Sequence, residues 1–266
     1  MTELDIVGLG AWSPYFSSWA ELVDGLDKGN WQTEVKLQPE LIAPRERRRA
    51  PQSVKLAVEV MGQACEMAAV NPATVATVFS SSMGDMQITD YLCKTLATTP
   101  EAVSPTKFHN SVHNAATGYW SIATESHSPA NAVSAREYSA SIAFLEAAIQ
   151  AVEENVPVLL VTQEMAAPPL LHHACPSDQP FSAAMLLTPV GYCESRISSV
   201  RFAITATSVK RPQLPKDLNA KLSSNFGALL LPFLAAIARM GAGGKVHAAA
   251  QFEFPLTENS SISLSL

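Results

Sequence analysis

Ser128-Pro-Ala-Asn-Ala-Val-Ser-Ala-Arg-Glu-Tyr-Ser-Ala-Ser-Ile-Ala-Phe-Leu-Glu-Ala-Ala148 carries a strand, a sharp turn and a helix in one contiguous segment. Its opening suits a short strand over Ala130–Ser134, its middle a sharp turn at Ala135–Tyr138, and its end a helix of small and apolar residues running to Ala151. Enzymes often place a nucleophile where a strand stops at a tight turn against a helix N-terminus, because the free N–H groups there stabilise a developing anion. Here the tip carries Arg136 and Glu137, and neither a cysteine nor a serine. The setting is that of a nucleophile and the residue is wrong.

Working outward, Pro157-Val-Leu-Leu-Val-Thr162 has the continuous apolar character of a strand buried on both faces. Leu4-Asp-Ile-Val-Gly-Leu-Gly-Ala-Trp-Ser-Pro14 reads as a first strand closing in a glycine turn. Gly8 and Gly10 lack the third glycine of a dinucleotide loop, and Pro14 intervenes. Ser17–Leu26 has helical spacing and stops at Gly29. Ser53–Val70 is a long helix with Val54, Ala57, Val58, Met61 and Cys65 on its buried face. Val75–Asp85 is a second strand ending in small residues, followed by a helix over Met86–Leu96. Ala115–Ala123 is a further helix. Phe181–Leu187 and Arg196–Ser208 are strands, and Phe226–Met240 is a helix ended by Gly241–Gly244. Lys245–Phe254 and Ser261–Leu266 form a closing strand pair. This order describes one α/β domain over residues 1–266, with a fuller half (1–190) and an abbreviated one (195–266) that reads as a shortened repeat.

Composition bounds the function. The chain has 266 residues, 47% of them hydrophobic, and a net charge of −6, which disfavours nucleic acid as a partner. Its four cysteines (Cys65, Cys93, Cys175, Cys193) are widely spaced, as expected for reduced thiols rather than a disulfide or zinc framework. With no basic, apolar leader, and with the longest apolar run confined to Ala228–Ala238, the expectation is a cytoplasmic protein without membrane insertion.

Three clusters hold reactive side chains. His109 and His113 stand four apart, a spacing that places two ligands on one helical face, but no third ligand lies nearby, so no metal and no cofactor is expected. His172, His173 and Cys175 share a proline-rich loop and offer the best local cysteine–histidine pairing, which would suit an acyltransferase or hydrolase. Arg45-Glu-Arg-Arg-Arg49 is the concentrated basic cluster, either a solvated helix entrance or a docking point for an acidic partner.

Four segments together resemble the β-ketoacyl synthases, which have the thiolase fold. These are Ile6-Val-Gly-Leu-Gly-Ala-Trp-Ser-Pro14 with Trp19-x-x-Leu-Val-x-Gly25; Ala50-Pro-Gln-Ser-Val-Lys-Leu-Ala57 with Ala76-Thr-Val-Phe-Ser-Ser-Ser-Met-Gly-Asp85; His109-Asn-Ser-Val-His-Asn-Ala-Ala-Thr-Gly-Tyr-Trp-Ser-Ile122; and Ser128–Ala148 with Val158-Leu-Leu-Val161. More narrowly, the chain resembles the short chain-length-factor subunits of aryl polyene and type II polyketide biosynthesis. The resemblance implies a thiolase-like α/β fold with a complete first half and a shortened second one. It places Glu137, or Arg136 after a slip of one residue, where a synthase has its condensing cysteine. The family's catalytic histidines and lysine come from a longer second half; here only His247 follows residue 195, outside any matching motif.

The implied role is a catalytically silent subunit that forms a heterodimer with an active ketosynthase and shapes the tunnel for a chain growing on an acyl carrier protein. By that analogy Met86, Ile88, Tyr91 and Leu92 are tunnel-wall candidates. Tyr119, Trp120 and the strand Ala130, Asn131, Ala132, Val133 and Ser134 are interface candidates. The alternatives are an acyltransferase acting through Cys175 with His172 or His173, and a scaffold that touches no substrate.

Overall fold

The computed structural model describes residues 2–32, 37, 39–241 and 250–266. Its elements run β1 (Thr2–Trp12), α1 (Trp19–Lys28), α2 (Pro44–Arg49), α3 (Gln52–Ala68), β2 (Ala76–Ser80), α4 (Met86–Thr98), α5 (Pro105–His109), α6 (Ala115–Thr124), β3 (Ala130–Val133) and α7 (Ser139–Glu153). They continue through β4 (Val158–Glu164), β5 (Phe181–Pro189), β6 (Ser198–Thr205), α8 (Lys216–Leu222), α9 (Leu231–Gly241), β7 (Gln251–Thr257) and β8 (Ser260–Ser265). Among the described residues all eight strands belong to one mixed sheet of order β3-β2-β4-β5-β1-β6-β8-β7. β3, β2 and β4 pair in parallel, and every other neighbouring pair is antiparallel.

The first strand shows how sequence becomes packing. β1 runs straight through Gly8 and Gly10 instead of turning there. A Cβ at Gly8 would lie 2.0 Å from the Ala64 carbonyl oxygen, and one at Gly10 2.1 Å from that of Val60. Ala64 and Val60 are one turn apart on α3, so the two glycines form the bed on which that helix lies against the sheet. The nucleotide-loop reading fails for this reason. A register shift between Ile6 and Gly8 inserts one residue and reverses the strand's parity, so that Leu4, Ile6, Leu9 and Ala11 all face the same core.

Two cores result. One lies between the sheet and α1, α7 and α9, the other between the sheet and α3 and α6. Covered on both faces, β4 is buried along its whole length, as its apolar run requires. α1 starts on Ser18, whose hydroxyl accepts from the Glu21 N–H while the Glu21 carboxylate reaches back to Ser17, and it stops at Gly29 with φ +73°.

The segment after residue 195, expected to be a shortened repeat, adds β6, β8 and β7 to the same sheet and, among the described residues, does not repeat the parallel unit. The sheet curls, so that β7, far from β3 in strand order, still packs against the start of α7. Phe226–Leu230 is a 3-10 turn leading into α9. The glycine terminator expected after Gly241, and Lys245–Ala249 of the expected strand, lie outside the described residues, as does His247.

Candidate functional site

β3 pairs with β2 from Thr77–Ala130 to Ser80–Val133, and the chain then leaves the sheet. Ala135 takes φ −147°, Arg136 takes φ +53°, and Arg136–Tyr138 closes as a 3-10 turn ahead of α7. Ser139 locks the turn: its Oγ accepts from the Ala135 N–H at 2.9 Å and donates to the Arg136 carbonyl at 2.6 Å. A left-handed backbone at a residue with a side chain costs about 1–2 kcal/mol, and such strain gathers at functional turns. This is the strand–turn–helix geometry of a nucleophile elbow, with the strain on Arg136.

The tip is cationic and open. The Arg136 side chain is 76% exposed, and its Nε lies 3.6 Å from Glu137 Oε2, itself 43% exposed. That pair is solvent-facing and weak. A guanidinium ahead of the positive end of α7 is electrostatically out of place, since that end favours an anion. Behind the tip β7 closes the site: the Ser141 hydroxyl shares its proton between the Tyr138 carbonyl at 3.0 Å and the carbonyl of Pro255 on β7.

The histidines stand apart from this turn. α5 ends at His109, so His109 and His113 do not share a helical face; His113 Nε2 instead lies 2.9 Å from the Ser81 carbonyl. Among the described residues no group of three or more His, Cys, Asp or Glu side chains is placed to hold a metal ion. His172 is 2.8 Å from Asp178, and His173 is exposed.

The Cys175 alternative does not assemble. Its thiol is fully buried and meets Ser82 Oγ at 3.2 Å and Glu164 Oε2 at 3.9 Å, with no histidine among its partners. Burial, and next the neighbouring Glu164 charge, push that thiol up to about 11, so it stays protonated and unreactive. Glu164 itself was not singled out from sequence. It is 1% exposed, and burial pushes its carboxyl up to about 7 against hydrogen bonds from Ser82, Ser81 and Cys175. An acid ending the apolar run Val158–Thr162 was the signal available.

Of the tunnel candidates, Met86 and Ile88 are buried at the start of α4, where Asp85 Oδ1 accepts from the Ile88 N–H at 2.9 Å. The Tyr91 hydroxyl donates to the Ala102 carbonyl at 3.3 Å and accepts from the Ser104 N–H at 3.2 Å, so Tyr91 ties down the following loop. Leu92 is half-buried. Of the interface candidates, Ala130, Asn131, Ala132 and Ser134 are exposed and Val133 is half-buried, on a strand with one edge unpaired among the described residues. Tyr119 is half-buried and lines a groove of about 530 Å³ with Arg49, Val112 and Ile122. Trp120 corrects the expectation: it is 0% exposed in the core beneath α6 and presents nothing to a partner.

One mixed sheet with the parallel unit β3-β2-β4 and a strand–turn–helix from β3 into α7 defines the class, a thiolase-like ketosynthase fold. Residues 17–231 match the family described as Beta-ketoacyl synthase, N-terminal domain, and the chain belongs to it. No curated protein sequence matches the chain. Among solved structures it is similar to the ketosynthase ApeO in complex with its chain length factor ApeC from Xenorhabdus doucetiae, at 20% identity over 100% of both chains with a TM-score of 0.71. It is also similar to the ishigamide ketosynthase/chain length factor, at 14% identity over 100% of this chain and 99% of the other with a TM-score of 0.75. A third is AntDE:AntF, a type II polyketide synthase acyl carrier protein in complex with its ketosynthase bound to the hexaketide, at 12% identity over 100% and 99% with a TM-score of 0.77.

Proposed function

We propose that this chain is a non-catalytic subunit of chain-length-factor type, which pairs with an active ketosynthase and shapes the path of an acyl chain growing on a carrier protein. One observation carries the reading: the elbow is built and strained as for a nucleophile, yet Arg136 occupies the strained position and Glu137 follows it. Condensation requires a thiolate to hold the acyl group, and neither side chain replaces one. The left-handed backbone at Arg136 favours the one-residue slip that puts Arg136, rather than Glu137, at the position of the missing cysteine.

The surface supports a partner. Among the described residues β3 is an edge strand, beside small, uncharged side chains, and such an edge pairs readily with another strand. Ile122 on α6 is 74% exposed and Val112 is 54% exposed, which adds apolar area close by. α2 presents Arg45, Arg48 and Arg49 to solvent, a fit for an acidic carrier protein. Met86 and Ile88, which follow the Ser81–Asp85 turn beside the elbow, are the side chains through which chain length is set in this reading.

The test is co-expression with a ketosynthase from the same system, with Met86→Trp, Ile88→Phe and Leu92→Trp introduced singly. Shorter products from an intact complex support length control. Unchanged product lengths from all three intact complexes leave a scaffold that touches no substrate.

A further inference from the structure

We propose that Glu164 is the positioning residue of the elbow: its carboxyl fixes the Ser81–Ser82 turn, and that turn fixes Ser134 and with it Arg136 and Glu137. Glu164 has this role in the isolated chain, whether or not the chain pairs with a ketosynthase.

The geometry is a relay across three strands. Glu164 is the last residue of β4, and β4 lies beside β2, which ends at Ser80. One Glu164 carboxyl oxygen accepts from the Ser82 N–H. The Ser82 hydroxyl meets Cys175 Sγ at 3.2 Å, and the Ser82 carbonyl accepts from Ser134 Oγ at 2.8 Å. Every polar group of Ser82 is therefore committed, the first to Glu164 and the last to the elbow. Ser81 is held as firmly: its N–H donates to the Val133 carbonyl at 3.4 Å, its carbonyl meets His113 Nε2 at 2.9 Å, and its hydroxyl accepts from the Gly84 N–H at 3.0 Å.

Beyond Val133 the β3–β2 ladder has ended; the Ser134–Ser82 hydrogen bond ties the strand end of the elbow to the turn after β2, while Ser141 ties its helix end to Pro255 on β7. Glu164 sits at the other end of the Ser134–Ser82 tie. A carboxyl at this depth is expensive. Its partners are neutral donors, so no ion pair offsets the cost. An apolar side chain would fill the space at less expense but would leave the buried Ser82 N–H without an acceptor. What the carboxyl supplies is the place of that N–H.

Hydrogen exchange on the isolated chain, read by mass spectrometry, tests this. Glu164→Ala is expected to speed exchange at least tenfold over residues 79–86 and 130–140, with residues 181–189 and 231–240 keeping their protection. Glu164→Gln retains an acceptor oxygen and is expected to restore both segments. Ser134→Ala is expected to release 130–140 alone. Uniform loss of protection in a folded Glu164→Ala variant, or no change over 130–140, overturns the proposal, as does Glu164→Gln behaving like Glu164→Ala. If Glu164→Ala does not fold, Ser134→Ala decides: unchanged exchange over 130–140 refutes the relay and selective release supports it.

Discussion

Arg136 and Glu164 both reside at a local cost, and each cost is measurable. Arg136 holds φ +53°, a region open to glycine without penalty. Relief of about 1–2 kcal/mol of strain outweighs the added freedom of the unfolded chain, about 0.4–1 kcal/mol, so Arg136→Gly is expected to stabilise the isolated chain by about 0.5–1 kcal/mol in urea unfolding. Glu164 makes stability depend on pH. Folding raises its carboxyl from an ordinary 4.5 to about 7, so the folded state holds the proton more tightly than the unfolded one. That contribution is complete below the unfolded value and is lost as pH rises through the folded one, a change on the order of 3 kcal/mol. Cys175, its titratable hydrogen-bond partner, keeps its proton to about 11 and stays out of this window. Glu164→Gln is therefore expected to gain stability over the native chain between pH 5 and pH 8, measured as the difference in unfolding free energy. A parallel pair of pH profiles would contradict the assignment.

At the scale of elements, β1 and α3 show what two glycines do in a strand. Gly8 and Gly10 match the Ala64 and Val60 carbonyls along one helical face, so the helix backbone lies directly on the strand. Neither contact leaves room for a methyl group, and the opposing atoms are main chain, which cannot rotate away. Gly8→Ala is expected to cost about 3 kcal/mol, read as a lower urea midpoint with an unchanged slope. Sequence alone showed the absence of a third glycine and so excluded a nucleotide loop. It did not show the helix that uses the two glycines present, because that helix begins some forty residues later and only tertiary packing brings it there. Trp120 is a similar case. An aromatic residue in a segment expected at an interface suits either face of α6, and the core beneath that helix claims it.

Over the whole molecule, the sheet has two edges of unlike character. β3 is short, uncharged and open, whereas β7 is folded back over the start of α7. The chain alone is expected to self-associate through β3. Ala132→Lys, at an exposed position, is expected to give a monomer of nearly native stability that no longer co-purifies with a ketosynthase; light scattering and affinity capture read the two effects. A variant that still captures a ketosynthase at native yield would move the proposed interface off this edge.

Much of the molecule was legible in its residues because the signals were local. A strand–turn–helix without a thiol, a strand buried on both faces, capped helices and a basic cluster each depend on neighbours within one or two turns of chain, and a pattern of such segments suffices to identify the family. Three things awaited the tertiary structure. The left-handed backbone falls on Arg136 rather than Glu137, because the turn closes through Ser139, which bonds Ala135 and the Arg136 carbonyl. Cys175 lost its histidines because burial took the thiol inward while the loop left His173 in solvent and His172 on Asp178. And the buried Glu164 met Ser82 only because β2 and β4 lie side by side in the sheet, a contact between residues 82 positions apart in the chain. The elbow's residues are written in one contiguous segment, but what holds that segment in place comes from strands far from it in sequence.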